Sequence, residues 1–250
     1  MPPSIPTPIR LLDLDFDALS QADALHLIAA RPAGAPFAYV VTPNADHLVR
    51  LSRDPATYRP LYDGAWLRLL DSRVVRHLAL LFGLPAPPVI TGSDLTAALV
   101  RNAATAGEEV VLLGLRQEQA QALAARTGLR FRHHNPPLGF EHDPVAFIEA
   151  VRFVEDNPAR LIFLAVGAPR QEMVAQALAA RRTAIGTGFC VGASLDFLAG
   201  VERRAPALVQ RVGMEWAWRL VQNPQRLWRR YLVDDPAILR LLWREARSRH

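Results

Sequence analysis

Polar side chains follow an apolar run in the stretch YVVTPNADHL, residues 39–48. Thr42 suits the N-cap of a helix, and Pro43 suits the first helical position because its missing N–H would be unpaired there anyway. Asn44 would then face the crevice beyond the sheet, where its amide can donate and accept hydrogen bonds. The stretch predicts a contact with a polar ligand, although a helix start alone would account for Thr42 and Pro43.

A second polar turn lies in WLRLLDSRVVRHLALLFG, residues 66–83, where Asp71 follows an apolar run. One interpretation makes Asp71 the N-cap of the helix that begins in RVVRHLALLF. The other makes it a carboxylate at the mouth of the sheet, where it accepts a proton from a substrate hydroxyl. General base catalysis is the chemistry that this residue offers.

The third turn ends the apolar run RLIFLAVG at Gly167 and continues as APRQE. Gly167 lets the backbone approach a ligand closely, and Pro169 stiffens the turn. Arg170 and Gln171 are predicted in the first turn of a helix whose amino end attracts anions, and Glu172 supports that helix end. An ordinary strand-to-helix turn is the alternative interpretation.

Two further stretches resemble ligand loops. In VITGSDL, residues 89–95, Asp94 follows a glycine before a helix, as an ordinary cap that could also contact a sugar. In GTGFCVGASLDFLAG, residues 186–200, four glycines surround Asp196. The sequence has no GxGxxG dinucleotide fingerprint and no GxxxxGKS or GxxxxGKT phosphate loop. Its seven histidines and one cysteine form no convincing ligand set, so no metal is expected.

The elements that must position these turns are strands and helices in alternation. Runs rich in valine, isoleucine and leucine predict strands at residues 37–41, 109–114, 129–134 and 160–167. Helical periodicity predicts helices near residues 44–53, 73–83, 94–106, 116–127, 143–156 and 170–181. Apolar strands separated by helices predict an α/β fold with a mostly parallel sheet covered on both faces. Ligands bind beyond the carboxyl ends of such strands, which is where the polar turns lie.

The positive charge is concentrated at the carboxyl end. All 29 basic residues are arginine, and residues 201–250 hold 11 of them against five acidic residues. The same segment contains four of the five tryptophans. We therefore predict an α/β core at residues 1–200 and a small arginine-rich appendage at residues 201–250, divided into short helices by Pro224 and Pro236.

This appendage has two interpretations. It can pack on the core and leave a basic face in solvent. It can also contact anionic lipid or phosphate, since tryptophan suits the membrane interface and each nearby arginine contributes about 1 kcal/mol.

The compartment is predicted from cysteine usage and hydropathy. Cys190 is the single cysteine, so no disulfide forms within the chain, which favours a reducing compartment. The first 20 residues lack the basic start and apolar stretch of a signal peptide, and no run of about 18 uncharged apolar residues occurs. We expect a cytoplasmic protein.

Taken together, these motifs resemble the WecG/TagA/CpsF family of bacterial glycosyltransferases. The matching pieces occur in the family's order over roughly residues 38 to 236, and the set is more specific than any one piece. They are TPNADHL, the aspartate of the LLD turn, GLPAPPVITGSDL, VGAPRQE, VGASLDFLAG, RRAP and EWAWRLVQNPQRLWRRYL.

The resemblance implies a Rossmann-like catalytic core and an enzyme that transfers a sugar from a UDP-sugar, with inversion and without a metal or other cofactor. The implied acceptor is a polyprenyl-diphosphate-linked saccharide at the inner face of the cytoplasmic membrane. The product would enter a cell-surface polysaccharide or an exopolysaccharide. Donors of the N-acetylmannosamine type and of the glucose type are both consistent with it, and a homo-oligomer stays possible.

The resemblance also assigns roles to residues. Asp71 matches the family's proposed general base. The positions associated with the family's active site correspond to Thr42, Asn44 and Gln171. The arginines of an appendage thought to close over the pocket and meet the diphosphate of the acceptor correspond to Arg219, Arg226 and Arg229.

The implied chemistry fits these residue types. An inverting transfer needs a base on the acceptor hydroxyl, opposite the departing UDP. The leaving diphosphate needs positive charge, which arginines and helix amino ends can supply in place of Mg²⁺.

The chain departs from the family pattern near Asp71. Members often have glycine where this chain has Ser72, and often have arginine where it has Val89. Arg73 could supply the missing charge from the neighbouring loop. The departures leave the donor sugar and the acceptor open.

Two other classes of function are consistent with the charge distribution. One is a basic nucleic-acid-binding protein that uses the appendage, and the other is a catalytically inactive scaffold at a membrane. The near-neutral core and the absence of a recognition motif argue against nucleic acid as a partner.

Overall fold

The computed structural model describes residues 6–200, 205–206, 209, 214–229 and 236–249. An antiparallel hairpin pairs β1 (Ile9–Leu11) with β2 (Leu14–Phe16). Six further strands are β3 (Ala38–Val41), β4 (Leu67–Arg68), β5 (Glu109–Gly114), β6 (Arg130–His134), β7 (Leu161–Ala165) and β8 (Thr187–Cys190). They form one sheet in the order β4-β3-β8-β7-β5-β6, and every neighbouring pair is parallel.

Helices connect these strands. In chain order they are α1 (Gln21–Ala30), α2 (Ala45–Arg53), α3 (Pro55–Asp63), α4 (Arg73–Leu81), α5 (Gly92–Thr105), α6 (Gln117–Thr127), α7 (Pro144–Asp156), α8 (Arg170–Arg181), α9 (Ser194–Ala199), α10 (Glu215–Gln222), α11 (Pro224–Arg229) and α12 (Ala237–Ser248). Local chemistry sets their ends: Asp143 accepts from the Val145 and Ala146 amides at the start of α7, and Gly128 ends α6 in the left-handed conformation. Each of these helices is too short or too polar to cross a lipid bilayer.

The sheet has a buried cluster on each face. Tyr39 and Val41 point to the first face, which α2, α3, α4, α7 and α8 cover. Val40 points to the second face, which α1, α5, α6 and α9 cover. Alternate residues of a strand point to opposite faces, so a strand covered on both sides is apolar throughout. The predicted Rossmann-like α/β fold, a parallel sheet with helices on both faces, is confirmed.

The chain leaves the neighbouring strands β3 and β8 in opposite directions. β3 continues into α2 on the first face, whereas the neighbouring β8 continues into α9 on the second face. The two strands pair from Ala38 with Thr187 to Val41 with Cys190, so both end at the same level. Loops that leave adjacent parallel strands for opposite faces separate from each other, and the gap between them is the usual ligand position in open α/β sheets.

The last helix is part of the main core. Ile238, Leu242 and Ala246 of α12 are buried in the first-face cluster. The Leu12 N–H of the hairpin donates to Glu245 Oε2 at 2.8 Å. The predicted division at residue 200 stays a prediction, because residues 201–204 lie outside the described part of the chain.

Periodicity missed β8 because it contains Gly188. A methyl group on Gly188 would lie 2.6 Å from the ring of Phe37, so the close approach of these two residues requires glycine. Glycine weakens a strand by intrinsic propensity, and tertiary packing overrides that preference here. The hairpin, α1, α3, β4 and α9 were also missed, whereas the ten predicted strands and helices are present with ends shifted by up to two residues.

Candidate active site

The predicted site residues after β3, β4, β7 and β8 lie at one edge of the sheet. β4, β3, β8 and β7 are consecutive neighbours, and all four strands are parallel. The polar turns that follow them therefore meet along the carboxyl edge. This edge is the candidate active site.

Asp71 is turned toward the amino end of α5. Its backbone N–H donates to Pro43 O at 2.9 Å, which ties this turn to the segment after β3. Its Oδ2 atom accepts from the Gly92 N–H at 3.0 Å. The N-cap interpretation of Asp71 is wrong, because the Ser72 hydroxyl accepts from the Val75 N–H and caps α4 instead. The carboxylate therefore lies beside a helix amino terminus, which favours negative charge.

Gly92 is the point where three side chains meet. A methyl group on this residue would lie 3.0 Å from Thr42 Oγ1, 3.3 Å from Asp71 Oδ2 and 3.3 Å from Ser194 Oγ. These atoms come from the segments after β3, β4 and β8, so the fold gathers two hydroxyls and a carboxylate around one backbone position. Asp71 and Thr42 were predicted to share a site, and this contact brings them together.

Asn44 rather than Thr42 caps α2. The Asn44 side chain accepts from the His47 N–H at 3.5 Å, and His47 Nδ1 accepts from the Asn44 N–H at 3.1 Å. The predicted N-cap at Thr42 is wrong because Thr42 and Pro43 precede the helix, which begins at Ala45 with Asn44 as its N-cap. This leaves the Thr42 hydroxyl at Gly92, inside the candidate site.

Gln171 lies in the first turn of α8, as predicted, but it is buried. Its Oε1 atom accepts from the Gly192 N–H at 2.9 Å, and its Nε2 atom donates to Glu172 Oε1 at 2.8 Å. Only 3% of Gln171 is exposed. Gln171 thus contacts the segment after β8, two residues before Ser194, and its amide joins the turns that follow β7 and β8.

Glu172 is the most unusual ionisable group at this edge. It is 2% exposed, and its Oε2 atom has no hydrogen-bond partner among the described residues. Burial raises the pKa of Glu172 to about 7, against the lowering effect of the hydrogen bond from Gln171. Glu172 is thus a carboxyl held in the interior behind Gln171. The sequence indicated only that it supports the helix end.

Gly167 and Arg170 form the rest of the turn after β7. Gly167 has a φ of 80°, which explains the glycine, and the Ala168–Pro169 peptide bond is cis. The Arg170 guanidinium folds back over this glycine, with Nη2 3.3 Å from where a methyl group on Gly167 would lie. Arg170 Nε lies 3.9 Å from Oε1 of Glu141, in a short 3₁₀ helix. Ligand contacts of Gly167 and Arg170 stay predictions.

Asp94 and Asp196 each take part in local structure. Asp94 Oδ2 accepts from the Thr91 hydroxyl at 2.7 Å, and the Asp94 N–H donates back to that hydroxyl at 3.1 Å. Asp196 Oδ1 accepts from Gln119 Nε2 at 3.1 Å, which joins α9 to α6. These hydrogen bonds do not test whether Asp94 and Asp196 contact a substrate, so that contact stays a prediction.

The predicted arginines of the appendage lie on α10 and α11. Arg219 and Arg226 belong to these helices, but their side chains lie outside the described part of the structure, and Arg229 is exposed at the end of α11. Glu215, the first residue of α10, pairs with Arg73 at 3.3 Å between Oε2 and Nη1. This ion pair brings α10 beside the Asp71–Arg73 turn. It also balances the charge of Arg73, which the sequence offered as a substitute for an arginine at Val89.

Two site residues were missed by reasoning from the sequence, namely Gly92 and Ser194. The only signal for them was that each lies in a glycine-containing stretch already noted as a ligand loop. Among the described residues, no group of three or more histidine, cysteine, aspartate or glutamate side chains is placed to hold a metal ion.

A cavity of about 570 Å³ lies elsewhere, between the hairpin, the α2–α3 junction and α12. None of the predicted site residues lines it. Its arginines are largely paired with neighbouring acids, as in the Arg10–Asp15, Arg59–Asp63 and Arg249–Glu245 ion pairs. We therefore place the candidate active site at the carboxyl edge of the sheet rather than in this cavity.

Comparison with known proteins agrees with the resemblance found in the motifs. The model of the glycosyl transferase WecG/TagA/CpsF family matches residues 9–250. The chain is also 28% identical over 218 residues to the N-acetylglucosaminyldiphosphoundecaprenol N-acetyl-beta-D-mannosaminyltransferase of Bacillus spizizenii. That match covers 84% of this chain and 81% of the relative.

Proposed function

Because the chain belongs to the WecG/TagA/CpsF family of glycosyl transferases, we propose that it moves a sugar from a UDP-sugar to a polyprenyl-diphosphate-linked saccharide. The printed name of the Bacillus spizizenii relative specifies an undecaprenol-linked N-acetylglucosaminyl acceptor and an N-acetylmannosaminyl group as the group transferred. We extend the acceptor class to this chain. For the donor, an N-acetylmannosamine-type or glucose-type sugar is proposed.

The observation that carries this proposal is the position of Asp71. A general base must lie where an acceptor hydroxyl can reach it, and Asp71 lies with Thr42 and Ser194 around Gly92 at the carboxyl edge. In the proposed step the acceptor hydroxyl transfers its proton to Asp71. Its oxygen forms a bond to the anomeric carbon, and the bond from that carbon to UDP breaks with its electron pair leaving on the diphosphate. Attack opposite the leaving group inverts the anomeric configuration.

Charge on the departing diphosphate is the second requirement. Arg219, Arg226 and Arg229 are proposed to neutralise it in place of a metal ion. The Glu215–Arg73 ion pair supports this role, because it joins the amino end of α10 to the turn that carries Asp71. The diphosphate of the acceptor is the other ligand proposed for these arginines.

The proposed location is the inner face of the cytoplasmic membrane, where the protein would bind peripherally. The lipid-linked acceptor of the relative supports a membrane surface. Trp228 and Trp243 are about half exposed, and the Arg247 guanidinium lies 4.7 Å from the ring centre of Trp243. Tryptophan and arginine side chains exposed together suit an interface that carries negative charge.

The test is the Asp71→Asn variant, assayed for UDP release with a synthetic polyprenyl-diphosphate-N-acetylglucosamine acceptor and a panel of UDP-sugars. We expect turnover to fall roughly 10²- to 10⁴-fold, because a carboxamide cannot accept the proton. Binding of UDP, measured by calorimetry, should stay near the parent value. Asp63→Asn is the matched control, since Asp63 forms a surface ion pair with Arg59.

Near-normal turnover of Asp71→Asn would remove Asp71 from the role of base. If the parent protein released no UDP with any pair of substrates, it would be an inactive scaffold or use a different donor. Salt-dependent binding of DNA or RNA without UDP binding would favour the nucleic-acid alternative instead.

A further inference from the structure

We infer that Glu172 is a positioning residue of this site, which acts through Gln171 to anchor the loop that carries Ser194 beside Asp71. The part of the inference that concerns turnover rests on the proposed function. The part that concerns the loop rests on hydrogen bonds alone, so the two can be tested separately.

The first step is the orientation of the Gln171 amide. The Gly192 N–H can only donate, so the amide oxygen of Gln171 must face it, as it does at 2.9 Å. The amide NH₂ then points the other way and needs an acceptor, which Glu172 Oε1 supplies at 2.8 Å. An acceptor at residue 172 therefore selects the amide orientation that holds Gly192.

The second step is the loop itself. Gly192 has a φ of 52° and lies between the end of β8 and the start of α9. Ser194, two residues further on, begins α9 and donates its N–H to Val191 O at 3.0 Å. A tether at Gly192 therefore determines where Ser194 lies. The Ser194 hydroxyl in turn shares the surroundings of Gly92 with Asp71 Oδ2.

The third step is the burial of the Glu172 carboxyl group, which is unfavourable in free energy. Glu172 is packed among first-face side chains, with Tyr39 of β3, Tyr62 of α3 and Cys190 of β8 as its electrostatic neighbours. The ionised groups that act on it electrostatically include Asp46 and Arg50 of α2, which pair with each other at 3.0 Å. No arginine of the described residues forms an ion pair with Glu172.

An apolar side chain of similar size would fill this space without the desolvation cost of a carboxyl. What it would lack is an acceptor for the Gln171 NH₂. The hydrogen bond to Gln171 is therefore the function that the contacts give to Glu172, whose Oε2 atom has no hydrogen-bond partner among the described residues.

Three variants test this inference. Glu172→Gln keeps an acceptor oxygen, Glu172→Met removes it at similar volume, and Leu178→Ala is the matched control. Leu178 is fully buried on the same helix but belongs to the apolar core and has no polar contact with the site. The readouts are hydrogen exchange at the Gly192 and Ser194 amides, and kcat and KM for UDP release.

We expect Glu172→Met to speed exchange at Gly192 roughly 10- to 100-fold and to lower kcat by a similar factor with little change in KM. In Glu172→Gln, exchange at Gly192 and kcat should both stay close to the parent values. Leu178→Ala should lower global stability without a selective change at Gly192 or in kcat. Unchanged Gly192 exchange in Glu172→Met, or a Glu172→Gln variant as impaired as Glu172→Met, would overturn the inference.

A measurement on the parent protein keeps the test decisive if Glu172→Met does not fold. The side-chain NH₂ protons of Gln171 should exchange slowly, and their NMR shifts should titrate as Glu172 ionises. Both features distinguish a hydrogen bond from simple packing. Fast exchange of these protons without titration would refute the positioning role. This NMR result does not depend on catalysis, so it would hold even if the protein were inactive on every substrate tested.

Discussion

Gly92 is the residue around which the side chains of the candidate site pack most closely. The Thr42, Asp71 and Ser194 side chains all approach its α-carbon, and its N–H donates to Asp71. Glycine is present here because of its neighbours, since it is helical and does not adopt a left-handed conformation. The side chains from three strand ends can therefore meet here only because residue 92 has no methyl group.

We predict that Gly92→Ala lowers turnover at least tenfold and leaves the protein folded. The added methyl group would lie 3.0 to 3.3 Å from these three oxygen atoms, so the Asp71 carboxylate must shift by a few tenths of an ångström. Steady-state kinetics of UDP release and thermal unfolding measure the two effects. Gly34→Ala, where the methyl group would contact nothing, is the control. Parent-like turnover in Gly92→Ala would show that the site tolerates this displacement.

The buried carboxyl of Glu172 makes a prediction about stability. Its pKa is raised from 4.5 to about 7 by folding, so the unfolded chain loses this proton at lower pH than the folded chain. The unfolded state therefore binds fewer protons between pH 4.5 and 7, and the free energy of unfolding falls as pH rises through that window. The loss from this group is on the order of 3 kcal/mol, and it is complete above pH 7.

Urea unfolding at pH 5 and pH 8 tests this effect by comparing the parent with Glu172→Gln. Because glutamine does not titrate, the variant should gain stability relative to the parent between the two pH values. Parallel pH dependence in the two proteins would mean that Glu172 is ionised at pH 5 or paired in a way the hydrogen bonds do not show.

Some residues of this site could be predicted from the sequence, and others could not because their role depends on the tertiary structure. Asp71 and Gln171 were predicted because each follows an apolar strand, a position that local sequence reveals. Ser194 and Gly92 could not be predicted, because their role depends on which strands are neighbours. The burial of Glu172 depends on α2, α3 and two strands together, and no local pattern contains that information.

At the scale of elements, α12 behaves as part of the core. Its buried side chains join the cluster formed by α2 and α4, and Glu245 holds the β1–β2 hairpin through the Leu12 N–H. The two ends of the described chain therefore stabilise each other. The composition of residues 201–250 indicated a basic appendage, and only the contacts reveal that its last helix has an apolar side buried against α2 and α4.

We predict that Leu242→Ala destabilises the whole protein by about 2 to 5 kcal/mol, because it leaves a cavity under α12. Urea unfolding followed by near-UV and far-UV circular dichroism should show one transition at lower denaturant. Leu239→Ala on the same helix, where the side chain is 44% exposed, should change stability by less than about 0.5 kcal/mol. A separate early transition in Leu242→Ala, with the main one unmoved, would instead support an independent appendage.

At the scale of the whole molecule, charge is distributed unevenly. The exposed arginines Arg240 and Arg247 lie on α12 with Trp243, on the first face of the protein. Exposed Leu80 and Leu81 lie at the end of α4, which packs beside α12. Arginines around exposed apolar side chains suit the surface of an anionic bilayer.

We predict that the protein binds vesicles containing phosphatidylglycerol and that binding weakens with added salt. The double variant Arg240→Gln/Arg247→Gln should bind at least tenfold more weakly, since each arginine contributes about 1 kcal/mol at such a surface. Vesicle sedimentation measures this. Arg101→Gln, on the second face, is the control and should bind as the parent does. Equal binding of all three proteins, or equal binding to neutral vesicles, would contradict an electrostatic docking face.

The sequence by itself determined the fold class, most strand and helix positions, and the family. Each of these follows from local information: the alternation of apolar runs with helical periodicity, and motifs within about 20 residues. The carboxyl-edge location of the site also follows, because it is a property of every parallel sheet of this kind.

Only the tertiary structure decided the strand order, the meeting of Thr42, Asp71 and Ser194 at Gly92, the interior position of Glu172 and the packing of α12 against α2 and α4. These features join segments far apart along the chain. Their geometry depends on which strands pair and which face each helix covers, and neither propensity nor periodicity within one segment contains that choice.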